Sequence, residues 1–115
     1  MQLNDLELGY LVAALSTKGK NGNPLSKKYG VNNIDQKSID KAKRQCEMFF
    51  LSAKKCILRS ELDLSMIGYD FWLTRTRNGT GFLDESYKFG DDLTEIAHTF
   101  GSVSIKEKGG KLYFK

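Results

Sequence analysis

The sequence predicts an α+β fold: two to three N-terminal helices, a β-hairpin, a short helix and a second β-hairpin. Apolar residues recur at helical spacing in the first half, whereas from Tyr69 onward apolar and polar residues alternate as they do in strands. The dipeptides Asn78-Gly79 and Gly109-Gly110 each separate two such segments and predict the two turns. Together the hairpins predict an antiparallel sheet of about four strands.

Composition indicates one folded domain over residues 1–115. The chain is 40% hydrophobic and 28% charged, and its seven Phe, five Tyr and one Trp supply enough apolar area for a core. No apolar run reaches the length of a membrane span, and the N-terminus carries acids where a signal peptide carries cations. We therefore expect a soluble intracellular protein with no membrane partner.

The first helix is predicted to begin at Asn4 or Asp5, either of which can cap it, and to end near Ser16. It is apolar over most of its circumference. Such a helix is either buried on two sides, or buried on one side and used for self-association on the other. A homodimer through the first helix is therefore one expectation.

A second helix is predicted to follow Asp35 or Ser38, because apolar residues then recur at steps of three and four. A third, shorter helical segment is predicted over residues 59–67, with Gly68 ending it. Cys46 and Cys56 lie on the apolar stripe of the second helix, roughly 15 Å apart at helical rise and beyond the ~7 Å limit of a disulfide. We expect two reduced core thiols, and neither a metal nor a cofactor is predicted.

Residues 17–34 form a long connection without periodicity, which is typical of a functional or mobile loop. It carries four lysines: Lys18, Lys20, Lys27 and Lys28. Residues 1–60 have a net charge of +6 (eleven Lys and Arg against five Asp and Glu), and residues 61–115 have −2 (seven against nine). A basic first half is typical of a polyanion partner, although scattered lysines also form ordinary solvated surface.

After the first predicted hairpin, residues 90–101 predict a short helix that begins near Asp91 or Asp92 and ends at Gly101. The second hairpin then alternates through Val103 and Ile105 and turns at the Gly109-Gly110 pair.

The candidate binding site lies at the turn of the first predicted hairpin. An Arg beside an Asn-Gly turn has no core to enter, so an exposed binding surface is expected there. The predicted binding residues are Arg75, Arg77, Asn78 and Thr80, together with the four loop lysines. Binding of a protein or a small ligand is favoured. The alternative is a nucleic-acid-binding protein that uses the basic N-terminal half together with Arg75 and Arg77.

Catalysis has weaker support. The single imidazole, His98, is expected on a partly exposed helix face, and no catalytic residue is predicted. Asp70 and Asp84 can face each other across the predicted strands, where they would bind Mg²⁺ or act as acid and base. The alternative is that Asp84 ends a strand and that Asp70 pairs with Arg75 or Arg77. An enzyme that depends on the Asp70 and Asp84 carboxylates is the least favoured of the predicted functions.

The segments DFWLTRTRNGTGFLDE and FGDDLTEIAHTFGSVSI resemble a family of small proteins encoded by tailed bacteriophages. The matching residues of the first segment are Asp70, Phe71, Trp72, Leu73, Thr74, Arg75, Gly79, Gly81, Phe82 and Asp84. At positions 76–78 the family usually has Asn-Gly-His, where this chain has Thr76, Arg77 and Asn78, so any role of that His is lost here. The resemblance implies phage origin and fold more than activity. Together with the predicted binding surface, it leads us to expect an accessory protein that binds a host protein or small ligand in the host cytoplasm during infection.

Overall fold

The computed structural model describes residues 3–115, so the first two residues of the predicted domain lie outside the described part. Over that range four α-helices precede one two-stranded antiparallel sheet. The helices are α1 (Asp5–Leu15), α2 (Gln36–Ser60), α3 (Leu64–Thr76) and α4 (Gly90–His98). The strands are β1 (Ile105–Lys108) and β2 (Lys111–Phe114). Short 3-10 turns lie at Leu25–Lys27, Val31–Asn33 and Gly81–Leu83.

The predicted first hairpin, and with it the four-stranded sheet, is wrong. Residues 69–76 belong to α3, and the predicted return strand contains the 3-10 turn at Gly81–Leu83. The third helical segment was placed too early, because α2 runs to Ser60 and α3 begins at Leu64. The sheet of the described chain consists of β1 and β2 alone, paired from Ile105 with Phe114 to Lys108 with Lys111.

The burial pattern of α3 explains the error. Ile67, Phe71 and Arg75 are all buried at four-residue steps, which is the spacing of one helix face. Phe71 and its neighbour Trp72 are both fully buried, whereas adjacent residues of a half-buried strand point to opposite faces. The apparent alternation was therefore a short coincidence within a helix.

The Asn-Gly dipeptide follows a helix end instead of joining two strands. Arg77 takes the left-handed conformation, with a φ of 56°, and the Asn78 N–H donates to the Leu73 carbonyl at 3.0 Å. Gly79 follows with a φ of 89°. Because left-handed residues are favoured at helix C-termini as well as in hairpin turns, the same dipeptide fits both structures.

Two glycines let α1 and α3 cross closely. A Cβ added to Gly9 would lie 1.9 Å from the Ser65 carbonyl oxygen, and one added to Gly68 would lie 2.0 Å from that of Leu6. The backbones would have to move apart to admit either methyl group. Gly68 therefore lies inside α3 because the helix crossing requires it, and not as the helix end that the sequence predicted.

The core is formed where α2 and α4 pack against the crossing of α1 and α3. Phe49 of α2 stacks on Phe71 of α3 with ring centroids 4.0 Å apart, and on Phe82 at 5.6 Å. Trp72 packs against Phe114 of β2 at 5.2 Å, so the sheet covers one end of this cluster. These aromatic residues thus join α2, α3, the 3-10 turn at Gly81–Leu83 and β2.

The other predicted elements are confirmed. Asn4 caps α1 by accepting from the Glu7 N–H at 2.8 Å, and Asp35 caps α2. The Gly109-Gly110 turn joins β1 and β2, and α4 ends within three residues of the predicted stop at Gly101. No helix within residues 3–115 is both long enough and apolar enough to span a membrane.

Candidate functional site

Arg75, a predicted surface binding residue, is buried in the core. Only 3% of it is exposed, because α3 directs it toward α1 and α2 instead of toward a hairpin turn. Its guanidinium group also lies 5.6 Å from the centre of the Phe71 ring. The expectation that this arginine has no core to enter is wrong.

Four acceptors satisfy the Arg75 guanidinium. It donates to the Tyr10 hydroxyl at 2.8 Å, to Gln45 Oε1 at 2.6 Å, and to the carbonyl oxygens of Phe100 and Gly101 at 3.1 Å each. None of these acceptors is a carboxylate, so the predicted alternative of an ion pair with Asp70 is also wrong. Burial raises the pKa of Tyr10 well above its usual range, although the nearby cation lowers it in part.

The remaining turn residues stay at the surface. Arg77, Asn78 and Thr80 are all exposed, and Arg77 and Asn78 line a shallow depression with Val103 and Ser104. Arg77 and Asn78 therefore lie beside the segment leading into β1, two and three positions after the buried Arg75.

The four predicted loop lysines are exposed, and the fold brings them beside β1. Lys18 and Lys20 line one depression together with Ile105 and Lys106, and its volume is about 290 Å³. Lys20, Lys27 and Lys28 line a second depression, of about 190 Å³, together with Glu107. The loop and the hairpin thus form one surface although they lie at opposite ends of the sequence.

Hydrogen bonds hold the loop in place against β1. The Tyr29 hydroxyl donates a short hydrogen bond to Glu107 Oε2, and Lys28 Nζ lies 3.5 Å from the same oxygen. These contacts lower the pKa of Glu107, with the tyrosine bond as the largest cause. Within the loop, the Gly19 N–H donates to the Asn23 carbonyl at 2.8 Å, and the Leu25 N–H donates to the Thr17 carbonyl at 2.9 Å.

The hairpin carries four more lysines on the side opposite to Glu107, and Lys106 joins them to the loop by lining a depression with Lys18 and Lys20. Strand alternation and the observed register place them on the side facing away from buried Leu112, around the half-buried ring of Tyr113. The side chains of Lys106 and Lys115 lie in contact, and this contact, together with the repulsion between their charges, lowers the pKa of Lys106. We call the whole surface the lysine face: Lys18, Lys20, Lys27, Lys28, Lys106, Lys108, Lys111 and Lys115.

Sequence reasoning missed the four hairpin lysines. The signal was present, because Lys106 and Lys108 alternate with Ile105 and Glu107, and Lys111 and Lys115 continue the same side after the turn. Alternation predicts one solvated side of a hairpin, but it does not show that this side adjoins the loop.

The predicted carboxylate pair is not an opposed pair on neighbouring strands. Asp70 lies in α3, half buried, and accepts a hydrogen bond from the Tyr87 hydroxyl, while Asp84 accepts from the backbone and hydroxyl of Ser86. Burial raises the pKa of Asp70, and the Tyr87 bond partly offsets this. Across the described residues, no three His, Cys, Asp or Glu side chains cluster as metal ligands would.

The two cysteines are free thiols, as predicted, but only one is deeply buried. Cys46 is 1% exposed, and burial raises the pKa of its thiol to about 12. Cys56 is half buried near the end of α2. His98 is exposed in the last turn of α4.

Comparison of the chain with protein-family models, with curated proteins and with solved structures found no match.

Proposed function

We propose that the protein acts by binding, and that the lysine face binds the phosphate backbone of a nucleic acid. The observation that carries the proposal is the convergence of the loop and the hairpin. Their eight lysines are all exposed, and Glu107, the one acid between them, is already bonded to Tyr29 and Lys28. A surface of this kind attracts a polyanion and releases its condensed counterions on binding.

Lysine content favours nucleic acid over the protein partner that the sequence alone favoured. Protein–protein interfaces are depleted in Lys and enriched in Arg and Trp. The lysine face contains no Trp, because Trp72 is buried in the core, and of the two arginines predicted as binding residues only Arg77 is exposed, in the neighbouring depression. A small ligand is also less well supported, because the two depressions beside the loop are shallow and three of the residues that line each are flexible lysines.

The shape of the hairpin suits the same partner. A two-stranded ribbon fits the major groove of a duplex, where lysines on its outer side reach the phosphates. Tyr113 lies opposite Lys106 in the register and presents a half-buried ring among the lysines. An aromatic ring in a basic surface also stacks on the bases of single strands.

An accessory role in a tailed bacteriophage, acting in the host cytoplasm, remains part of this proposal. Its support is the resemblance of residues 70–101 to small phage proteins. Binding to nucleic acid, whether phage or host, is compatible with such a role.

Binding of labelled single-stranded and duplex oligonucleotides, followed by fluorescence anisotropy over a range of salt concentrations, tests the proposal. We expect the wild-type protein to bind with an affinity that falls steeply as salt rises. The triple variant Lys18→Ala, Lys20→Ala and Lys106→Ala should bind at least roughly tenfold more weakly. The slope of its logarithmic affinity against logarithmic salt concentration should also be shallower, by the amount expected for the loss of about two to three phosphate contacts.

A matched control removes the same charge elsewhere. Lys37→Ala, Lys41→Ala and Lys88→Ala replace three exposed lysines outside the lysine face and should retain most of the affinity. Equal loss in the two triple variants would show that net charge alone is responsible and would overturn the assigned site. Absence of salt-dependent binding to either oligonucleotide would overturn the proposed function itself.

A further inference from the structure

Two exposed apolar surfaces lie outside the lysine face, one accompanied by basic residues and the other by acidic residues. The first is the outer ridge of α2, which is the side of the helix opposite to its buried residues. Apolar and basic side chains lie together along this ridge. Its residues are Arg44, Met48, Leu51, Lys55 and Leu58. Met48, Leu51 and Leu58 are 58–64% exposed, and no described element packs on them.

The second surface is the α1–α3 groove, which the close glycine crossing leaves on the outer side of the two helices. It has a volume of about 410 Å³ and is mostly apolar, with Leu8, Val12 and Met66 as its exposed walls and Tyr69 and Asp70 along its α3 side. Exposed apolar surfaces of this kind are typical of interaction sites.

The groove is acidic where the ridge is basic. Asp70 lines the groove, and none of the residues described as lining it is a cation. Exposed Asp5 lies one turn before Leu8, and exposed Asp63 immediately precedes α3. On the ridge, Arg44 lies one turn before Met48 and Lys55 lies between Leu51 and Leu58, while the acid Glu47 lies to one side next to Met48.

Charge selects one of the three ways in which two copies can pair these surfaces. Ridge against ridge joins two surfaces of net positive charge, with Glu47 as the one acid beside the two cations of each ridge, and groove against groove joins two acidic surfaces. Like net charge disfavours both symmetric pairings. Ridge in groove buries apolar residues from both copies and brings unlike charges together.

We infer that the protein self-associates head to tail, with the α2 ridge of one copy docked in the α1–α3 groove of the next. This arrangement differs from the homodimer through α1 that the sequence suggested, because α1 here forms only one wall of the groove in which the ridge docks. Each copy keeps one free ridge or groove, so the contact extends into chains or a ring as concentration rises. The inference is independent of nucleic-acid binding by the lysine face.

Sedimentation velocity of the full chain over rising protein concentration tests the inference. Leu51→Asp places an acid on the ridge at a residue that is 64% exposed, and Val12→Lys places a cation in the groove at a residue that is 47% exposed. Both changes spare the core. We expect the wild type to associate increasingly with concentration and each variant alone to remain monomeric.

The decisive sample is an equimolar mixture of the two variants. It contains one intact ridge and one intact groove, so it should form a discrete one-to-one dimer that grows no further. A control, Ser52→Asp, adds the same charge to an exposed site on α2 beside the ridge and should associate as the wild type does.

Three results would overturn the inference. A wild type that stays monomeric at every concentration would remove the contact altogether. A mixture of variants that stays monomeric while the wild type associates would show a symmetric contact instead. Binding of the wild type to anionic lipid vesicles, lost in Leu51→Asp without any self-association, would assign the ridge to a membrane surface.

Discussion

Arg75 and the lysine face carry the same kind of charge in opposite surroundings. Arg75 lies in α3 against α1, α2 and the segment after α4 and is satisfied by neutral oxygens, whereas the eight lysines all lie in solvent. A guanidinium group is weakly hydrated and has five fixed donors, so it tolerates burial when acceptors surround it. The ammonium group of Lys is strongly hydrated and stays outside. The comparison assigns the buried cation to stability and the exposed cations to binding.

Arg75→Ala should have the largest effect on stability. The substitution leaves a cavity, and it removes the donor from the buried Tyr10 hydroxyl and from the partly buried oxygens of Gln45, Phe100 and Gly101. We expect a loss of about 3–5 kcal/mol in the free energy of unfolding, measured by denaturant titration. Arg77→Ala, which removes the same charge from an exposed site, should cost less than about 0.5 kcal/mol. Similar costs for both variants would contradict the structural role of Arg75.

Gly68→Ala should come next. The added Cβ would lie 2.0 Å from the Leu6 carbonyl oxygen. Because this oxygen belongs to the backbone, no change of side-chain rotamer can relieve the contact. We expect a loss of about 2–3 kcal/mol, as overpacking of a core typically costs. Gly30→Ala is the matched control, because a Cβ there meets nothing within 4 Å and its φ is negative. A stable Gly68→Ala protein would show that α1 and α3 cross less closely.

The triple lysine variant should leave stability nearly unchanged. Lys18, Lys20 and Lys106 are exposed, so replacing them by Ala should alter the free energy of unfolding by less than about 0.5 kcal/mol. Thermal unfolding of the same sample used for oligonucleotide binding measures this. Loss of binding without loss of stability sharpens the comparison with Arg75, whereas a large destabilisation would remove the distinction.

Arg77→Gly should have a small effect of the opposite sign, because it should be stabilising. Arg77 has a φ of 56°, a conformation that costs a residue with a Cβ and that glycine adopts freely. We expect a gain of about 0.5–1 kcal/mol in the free energy of unfolding. Glu61→Gly, at the end of α2 with the same φ, should behave in the same way. A loss at Arg77 alone would point to an unrecognised contact of its side chain.

Sequence predicted the elements that repeat one pattern over many residues. The second helix keeps its apolar steps over 25 residues, and a local cap and a Gly-Gly turn mark α1 and the hairpin. The pattern was too short in α3, where Gly68 resembles a helix end and Phe71 to Thr74 resemble a strand. Only the crossing with α1 gives that glycine its position inside a helix, and such tertiary contacts override local preference.

The site was less predictable because it depends on contacts between distant residues. Arg75 is buried through partners that lie 25 to 65 positions away. The lysine face forms because Lys28 and Glu107, 79 positions apart, are neighbours in space. Contacts between residues so far apart in the chain leave no local pattern in the sequence. The sequence therefore shows which residues are charged, but not whether each is buried or exposed.

The hydrogen bonds of Arg75 also determine how the protein unfolds. Its four acceptors belong to α1, α2 and the segment that follows α4, so the charge is fully satisfied only when all three have docked on α3. Undocking of any one element leaves a buried cation short of partners, which is strongly unfavourable. Partly assembled states are therefore penalised, and the domain should unfold as a single cooperative unit with coincident transitions in helix content and tryptophan fluorescence.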